Sequence, residues 1–247
     1  MHRDALKRLW LFSELADAEI DQIRALARAQ RYPARQTIVS QGDDSGDLFL
    51  VIDGRLRASS CNANGDEVVL SIMGPGEVFG EMALLDGAPR SATVSTIDAC
   101  QLLVIEAGSF HALLRQMPTL AAGLMKVMAR RIRDLTGRTQ DVALLDVESH
   151  LAKVVLALAN RFGDHSRSGQ TAITLKLSQQ ELASMVGATR ELVNRRLRAW
   201  AQRGIVELVA GSLVIKQQHA LEAMVGDEID DDDDDDEGRG GSEEDRP

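Results

Sequence analysis

Short apolar runs alternate with turn-forming residues between positions 37 and 105. Apolar runs such as 48–52 and 68–73 are separated by Gly-containing turns at 42–46, 53–54, 64–65, 74–76 and 86–87. Strands spaced roughly 8–12 residues apart with such turns are typical of a β sandwich or jelly roll. The Asn64-Gly65 pair between two strand-like flanks is a strong signal for a two-residue hairpin.

Helical patterns lie on both sides of this β-rich block. A short one covers 17–29, and a long one runs from Pro118 to about 145 without another proline. Along the long helix, steps of four and three residues meet five apolar side chains in seven, at positions 124, 128, 131, 135, 138, 142 and 145. This spacing is that of a coiled-coil seam, weakened in its middle by Gly137, and it predicts pairing with a second copy of the chain. The alternative is an ordinary amphipathic helix packed on its own domain.

The pattern changes again after Asp146. A helical pattern at 151–158 precedes a polar loop at 163–169 and a short alternating strand at 173–177. Two closely spaced helices and a hairpin that turns at Gly211-Ser212 complete this part of the chain. A pair of helices followed by a β hairpin predicts a winged helix-turn-helix.

These patterns together predict an α+β protein with four parts. They are an N-terminal β jelly roll with its helices at 1–117, a dimerisation helix at 118–145, a winged helix-turn-helix at 146–225 and a disordered acidic tail at 226–247.

Composition narrows the class of protein. Hydrophobic residues make up 44% and charged residues 27%, which is ordinary for a soluble globular protein. No apolar stretch reaches the roughly 18 residues of a membrane span, and the N-terminal segment lacks the pattern of a signal peptide. Cys61 and Cys100 are too few for a disulfide framework or a four-thiolate cluster. We therefore expect a cytoplasmic protein without a membrane partner.

The charge is unevenly distributed along the chain. The segment 226–247 holds 13 acidic and 2 basic residues, so its net charge of −11 exceeds the whole-chain value of −10. Residues 146–225 hold 10 Lys and Arg against 7 Asp and Glu, a net charge of +3. The predicted helix-turn-helix is thus mildly basic, as a polyanion partner requires, and seven consecutive aspartates keep the tail from folding.

A phosphate-binding constellation lies at the end of the β-rich block. Glu81 and Arg90 are nine residues apart across a short apolar helix at 82–85. A carboxylate accepts hydrogen bonds from ribose hydroxyls, and a guanidinium can bind a phosphate through two parallel bonds. Taken alone, such a pair is more often a surface ion pair.

The whole string is more specific than this pair. Phe79-Gly80-Glu81, then Ala-Leu-Leu at 83–85 and Pro-Arg-Ser-Ala-Thr-Val at 89–94, resembles the phosphate-binding cassette of cyclic-nucleotide-binding domains. The resemblance implies that Glu81 binds the ribose 2′-hydroxyl, that Arg90 binds the cyclic phosphate, and that the pocket is closed by Gly80, Met82 and Ser91.

The identity of the base is less determined. The cAMP-responsive members of the family present a Thr-Ser pair from the long helix, and this chain has Leu135-Thr136 there. Thr136 keeps one hydroxyl for the ligand and Leu135 removes the other. We therefore expect a cyclic nucleotide, with cAMP as the first expectation and with cGMP and c-di-GMP as alternatives.

A DNA-reading constellation follows at 177–200. Ser178 suits the start of the first helix, with Glu181 completing a capping box, and Thr189 suits the start of the second. The N-terminal end of the second helix carries Arg190 and Glu191, with Arg195 further along. Arginine pairs with guanine and glutamate accepts from cytosine in the major groove.

This pattern resembles the recognition helix of the CRP-FNR regulators, and the resemblance covers roughly residues 10–220. It implies that a palindromic, TGTGA-like double-stranded DNA site is read by a homodimer through Arg190, Glu191 and Arg195. Phosphate contacts, which position the protein, are implied for Ser178, Gln179, Gln180 and Thr189. The loop at 163–169 lies where activators of the family contact RNA polymerase, which makes the polymerase a candidate partner.

The sequence thus predicts a transcription regulator in which a bound nucleotide biases the arrangement of two subunits. The rival interpretation is a regulator of the same family that binds DNA without any nucleotide. An enzyme has little support, because no catalytic triad, metal-ligand set or Walker-type loop is present, and we predict no catalytic residue and no metal site.

Overall fold

The computed structural model describes residues 6–7, 9–62, 67–167, 170–175, 177–209 and 212–226. Within these residues the chain forms two compact units. The first contains the chain up to Leu144 together with Gln179–Arg190, and the second contains Leu145–Ser178 and the chain from Glu191 onward.

The first unit is built around two four-stranded antiparallel sheets. One sheet has the strand order β1-β8-β3-β6 and the other β2-β7-β4-β5. The strands are β1 Arg28–Tyr32, β2 Thr37–Val39, β3 Leu48–Asp53, β4 Leu56–Cys61, β5 Glu67–Met73, β6 Val78–Phe79, β7 Thr93–Thr96 and β8 Cys100–Ile105. The helices are a 3₁₀ turn at Trp10–Phe12, then α1 Asp17–Leu26, α2 Glu81–Asp86, α3 Ala107–Gln116, α4 Pro118–Leu144 and α6 Gln179–Val186.

Two apolar clusters hold this unit together. One fills the space inside the β roll and includes the stacked rings of Phe49 and Phe79, whose centroids are 4.7 Å apart. The other packs the N-terminal helices and α3 against the first half of α4 and the outer side of the sheet. Leu120, Leu124 and Val127 anchor α4 in that second cluster. Phe49 of the first cluster also lies against Arg90 of the candidate site described below.

Helix α4 carries an exposed apolar stripe. Leu124 is buried in its own unit, although it was assigned to the predicted seam. The large apolar side chains of α4 that are exposed are Met125, Ile132, Leu135, Val142 and Leu144. The first four are spaced by seven, three and seven residues, which is the periodicity of a coiled-coil face. The stripe thus includes the predicted positions 135 and 142 but has a different register before them.

The helix α6 belongs to the first unit because it is bonded to β4 and β5. Arg57 of β4 pairs with Glu181 at 3.1 Å, and Glu67 of β5 pairs with the same arginine at 3.2 Å. The hydroxyl of Ser184 accepts from the backbone N–H of Val69 at 2.9 Å and donates to the carbonyl of Glu67. These bonds satisfy backbone groups at the open edge of the sheet.

The second unit combines three helices with one antiparallel sheet, whose strand order is β11-β12-β10-β9. Its elements are α5 Val147–Phe162, β9 Gly163–Arg167, β10 Gln170–Ile173, α7 Arg190–Gln202, β11 Val206–Val209, β12 Ser212–Ile215 and α8 Gln218–Val225. The first residue of α7, Arg190, is assigned to the first unit. A long row of buried residues on α5, from Leu151 to Ala159, packs against α8 and β10.

The predicted architecture is confirmed: a β roll, a long helix and a C-terminal helix-turn-helix with a β hairpin. Three local predictions are wrong. The helix predicted at 17–29 ends at Leu26, and Arg28–Tyr32 forms β1. The segment 163–169, predicted as a loop, contains β9, and the strand predicted at 173–177 lies earlier, at Gln170–Ile173. The polar sequence of β9 hid it, because an edge strand needs no apolar alternation.

Some predictions fall outside the described residues. They are the hairpin turn at 64–65, the turn of the wing at Gly211 and the acidic tail from 227 onward. In the part of the chain that is described, no helix is long and apolar enough to cross a membrane.

Candidate ligand pocket and nucleic-acid interface

Arg90 lies in the interior of the first unit with only 4% of its surface exposed. Its Nε donates to the hydroxyl of Ser45 at 2.9 Å, Nη1 to the carbonyl of Gly80 at 3.0 Å and Nη2 to the carbonyl of Asp47 at 2.8 Å. Its guanidinium also lies 5.6 Å from the ring centroid of Phe49. Burial lowers the pKa of Arg90, although nearby carboxylates, led by that of Asp47, oppose the shift.

Gly80 makes this arrangement of Arg90 sterically feasible. Its φ of 89° is left-handed, and it is the residue before α2. A Cβ at this position would lie 2.4 Å from Nη1 of Arg90 and 2.5 Å from the carbonyl oxygen of Asp47. Both distances are far shorter than van der Waals contact, so only glycine allows the guanidinium to reach the two carbonyls.

Glu81, the first residue of α2, is 1% exposed. Its Oε1 accepts a hydrogen bond from Nη1 of Arg131, and Nη2 of the same arginine donates to the carbonyl of Val78. Among the described residues, Oε2 of Glu81 is buried and has no hydrogen-bond donor. A buried carboxylate oxygen without a donor is costly, and a ligand hydroxyl would satisfy it.

Arg131 was missed as a site residue by the sequence reasoning. The sequence did contain a signal, because position 131 is a charged residue in a row of positions that was otherwise mostly apolar. In the structure its side chain extends from α4 to the carboxylate of Glu81. The sequence could not indicate that Asp47 and Gly80 accept hydrogen bonds from Arg90, because the acceptors are backbone carbonyls, which every residue has.

The other predicted pocket residues differ in their surroundings. Met82 and Ser91 are exposed and adjacent, with the hydroxyl of Ser91 3.6 Å from the sulfur of Met82. Thr136 is exposed, and its hydroxyl donates to the carbonyl of Ile132 one turn earlier. The structure therefore brings together Gly80, Glu81 and Arg90, whereas the hydroxyl of Thr136 bonds to its own helix.

The helix α7 carries the predicted base-reading residues on its solvent side. It begins at Arg190, as predicted, after a turn in which Gly187 has a φ of 66°. Arg190, Glu191 and Arg195 are exposed. The opposite side is fully buried at Val193, Leu197 and Trp200. A recognition helix needs this division, because its apolar face must fix it while its polar face contacts base edges.

The residues predicted to contact phosphates lie at the starts of α6 and α7. Ser178, Gln180 and Thr189 are exposed, and Gln179 is partly buried. Ser178 and Gln179 mark the start of α6, and Thr189 directly precedes α7. Polar side chains at helix N-termini are suited to phosphate oxygens.

Comparisons with known proteins match both parts of the chain. Residues 29–117 match the cyclic nucleotide-binding domain family, and residues 149–224 match the Crp-like helix-turn-helix domain family. The first match contains Glu81 and Arg90, whereas Arg131 lies outside it. The second contains α7 with its exposed polar side.

Individual relatives extend over most of the chain. The cyclic AMP receptor protein of Thermus thermophilus is 34% identical over 212 residues, which is 86% of this chain and 94% of the relative. A CRP-like cAMP-activated global transcriptional regulator of Mycobacterium tuberculosis is 29% identical over 218 residues, covering 88% and 97%. The solved structure of the c-di-GMP-responsive global regulator CLP of Xanthomonas campestris is 26% identical with a TM-score of 0.71, covering 81% and 99%. Two of these relatives are thus named for cAMP and one for c-di-GMP.

Proposed function

Because the chain belongs to the CRP-FNR family of transcription regulators, we propose that a cyclic nucleotide bound at Glu81 and Arg90 controls how a dimer of this chain binds DNA. The observation that carries the ligand half of this proposal is the buried Oε2 of Glu81, which has no donor among the described residues. A ribose 2′-hydroxyl would supply the missing donor.

The phosphate is the second part of the ligand. Arg90 uses three of the five N–H donors of a guanidinium on Ser45, Asp47 and Gly80, so two remain for a phosphate oxygen. Its burial excludes water, which strengthens a charge-assisted hydrogen bond to an anion. The same arginine therefore supports the local fold and provides the positive charge for the ligand.

Arg131 gives the pocket a physical link to the long helix. It donates to the carboxylate that would accept the ribose hydroxyl, and it belongs to α4. A ligand at Glu81 would change the electrostatic surroundings of this guanidinium, and we propose that this change is transmitted to α4. The exposed apolar stripe at Met125, Ile132, Leu135 and Val142 would be covered by the same stripe of a second copy.

In this proposal the dimer presents two copies of α7 to a palindromic, TGTGA-like site. Arg190, Glu191 and Arg195 read base edges, while Ser178, Gln179, Gln180 and Thr189 bind phosphates. We also assign the protein to the cytoplasm and retain RNA polymerase as a candidate partner.

The ligand is tested by thermal unfolding and calorimetry with cAMP, cGMP and c-di-GMP on the full chain. Ligand at 100 times its Kd stabilises the folded state by about 2.7 kcal/mol, so the matching nucleotide raises the unfolding midpoint. We expect the largest rise with cAMP. A larger rise with c-di-GMP would change the identity of the ligand, and no rise with any of the three would favour the nucleotide-independent regulator.

The site is tested by substituting Glu81. Glu81→Ala removes the proposed acceptor of the ribose hydroxyl, so we expect nucleotide affinity to fall by about tenfold to a hundredfold. Glu106→Gln is the matched control, because it removes an exposed carboxylate of the same unit that pairs with Arg28. Unchanged nucleotide affinity in Glu81→Ala would overturn the assignment of the pocket.

A further inference from the structure

A polar cluster in the second unit, in which Trp200 is buried and Glu148 and Arg196 are partly exposed, joins α7 to the first turn of α5. The carboxylate of Glu148 contacts two side chains of α7. Its Oε1 accepts a hydrogen bond from the indole Nε1 of Trp200 at 3.0 Å, and its Oε2 forms an ion pair with Nη1 of Arg196 at 2.8 Å. No family resemblance in the sequence pointed to these three residues.

The two donors occupy one face of α7. Arg196 and Trp200 are four residues apart, so their side chains lie one above the other along the helix. Trp200 is fully buried, and the Nε of Arg196 is buried without a partner among the described residues. The exposed Glu191 and Arg195 lie outside this contact. A single carboxylate thus holds the helix on its buried side.

The carboxylate itself is firmly placed. Glu148 stands in the first turn of α5, where the helix dipole favours a negative charge. That turn is capped by Asp146, whose carboxylate accepts from the backbone N–H of Ser149 at 2.7 Å. Glu148 is therefore attached to a fixed point, and 23% of its side chain remains exposed.

We propose that Glu148 is a positioning residue that sets the orientation in which α7 presents its base-reading side chains. This inference rests on the proposed DNA-binding function. A hydrogen bond and an ion pair to one carboxylate restrain both the rotation of α7 about its axis and its distance from α5. Base readout requires such restraint, since base edges are contacted at hydrogen-bond distances, whereas phosphate contacts tolerate displacement.

The first test measures DNA binding by the full-length chain with each of the three nucleotides. The specific DNA is the duplex that the wild type selects from a random pool, and the non-specific DNA is a shuffled duplex of the same length. We expect Glu148→Ala to weaken specific binding by about tenfold, as expected for charge-assisted bonds, and to change non-specific binding less than about twofold. The control Glu222→Gln changes a carboxylate of α8 that accepts a hydrogen bond from Gln218, one turn earlier, and it should change neither affinity.

A merely structural role gives a different result. Measured well below the unfolding midpoint, a variant that is only less stable keeps its specific affinity. Equal losses of specific and non-specific affinity, or no loss of either, would overturn the proposal. The ion pair is tested by combining Arg196→Gln with Glu148→Gln. We expect the double variant to bind specific DNA no more weakly than whichever single variant binds it more weakly.

Tryptophan fluorescence separates this proposal from the proposed function. The chain has two tryptophans, so Trp10→Phe leaves Trp200 as the only emitter. Without any DNA, Glu148→Ala should shift the emission of Trp200, and Glu148→Gln should shift it less because the amide oxygen still accepts from the indole. If the wild type selects no DNA sequence, the proposed function fails. An unchanged Trp200 emission in Glu148→Ala would instead refute the positioning of α7 by Glu148.

Discussion

The ligand pocket and the recognition helix use the same residue types, glutamate and arginine, in opposite environments. Glu81 and Arg90 are 1% and 4% exposed and are bonded to their own unit. Glu191 and Arg195 are exposed, on the solvent side of α7. A buried charge must be paired to be tolerated, whereas an exposed charge is solvated by water until a binding partner contacts it.

This contrast separates stability from affinity. In the pocket, the groups that would bind the ligand also hold the β roll together, so a substitution there changes both properties. On α7, the buried side chains of Val193, Leu197 and Trp200 hold the helix in its unit. The residues of the polar side do not contribute to this packing. A substitution on the polar side should therefore change affinity alone.

The largest expected effect follows from Gly80→Ala. The added Cβ meets Arg90 and the carbonyl of Asp47 at distances below 3 Å, in a left-handed conformation that alanine disfavours. We expect a loss of about 4 kcal/mol in the free energy of unfolding, together with loss of nucleotide binding. Chemical denaturation and calorimetry measure the two effects.

Gly87→Ala is the control for this prediction. Gly87 ends the same helix with a φ of 69°, and a Cβ there meets nothing within 4 Å. It should therefore show only the cost of the left-handed conformation, about 1 kcal/mol, with nucleotide binding retained. Equal stability of the two variants would contradict the close approach of Arg90 to Gly80.

The sequence predicted which residues meet at the candidate pocket better than it predicted their bonds. The cassette motif singled out Gly80, Glu81 and Arg90 by their types and spacing, and these three residues lie together in the structure. It could not reveal that Arg90 donates to two carbonyls, since every residue has one. Arg131 lies 50 residues from Glu81 in the chain, and only the folded β roll brings them together.

An intermediate effect is expected for Glu191→Ala on α7. The side chain is exposed, so we expect the unfolding midpoint to stay within error of the wild type. Discrimination at one base pair in each half-site should fall by about 1–3 kcal/mol. Binding-site selection, followed by affinity measurements on single-base variants of the selected duplex, measures it. An unchanged selected motif, or a lowered unfolding midpoint, would break the contrast with the pocket.

The first residues of two helices were predicted correctly, whereas the polar strand β9 was not predicted. Pro118 and Arg190 begin helices at the predicted residues, because capping and first-turn residues act locally. The strand β9 was predicted as a loop, since its pairing with β10 depends on a partner segment. The register of the exposed stripe on α4 was predicted only in its second half. Burial of Leu124 by the N-terminal helices depends on tertiary packing, which no helical period encodes.

The smallest expected effect concerns an exposed carboxylate that stabilises the fold. Asp146 caps α5, and its hydrogen bonds, first that from the backbone N–H of Ser149, lower its pKa. A carboxyl whose pKa is lower in the folded state stabilises above its unfolded pKa of about 3.9, and this contribution is lost as the pH falls through the folded pKa. Asp146→Ala should therefore lower the free energy of unfolding by about 1 kcal/mol at pH 7.

The difference between Asp146→Ala and the wild type should shrink steadily as the pH falls below about 4, where the wild-type carboxyl becomes protonated. Asp146→Asn is the matched control, because its amide oxygen still accepts from Ser149 but does not titrate. Denaturation curves from pH 7 to pH 3 should place the asparagine variant between the alanine variant and the wild type at pH 7, because it keeps the hydrogen bond but not the charge. A difference between alanine variant and wild type that is independent of pH would mean that the hydrogen bond acts without its charge. The charge of Asp146 would then contribute nothing to stability, as expected for the exposed charges of α7 and unlike the buried carboxylate of Glu81.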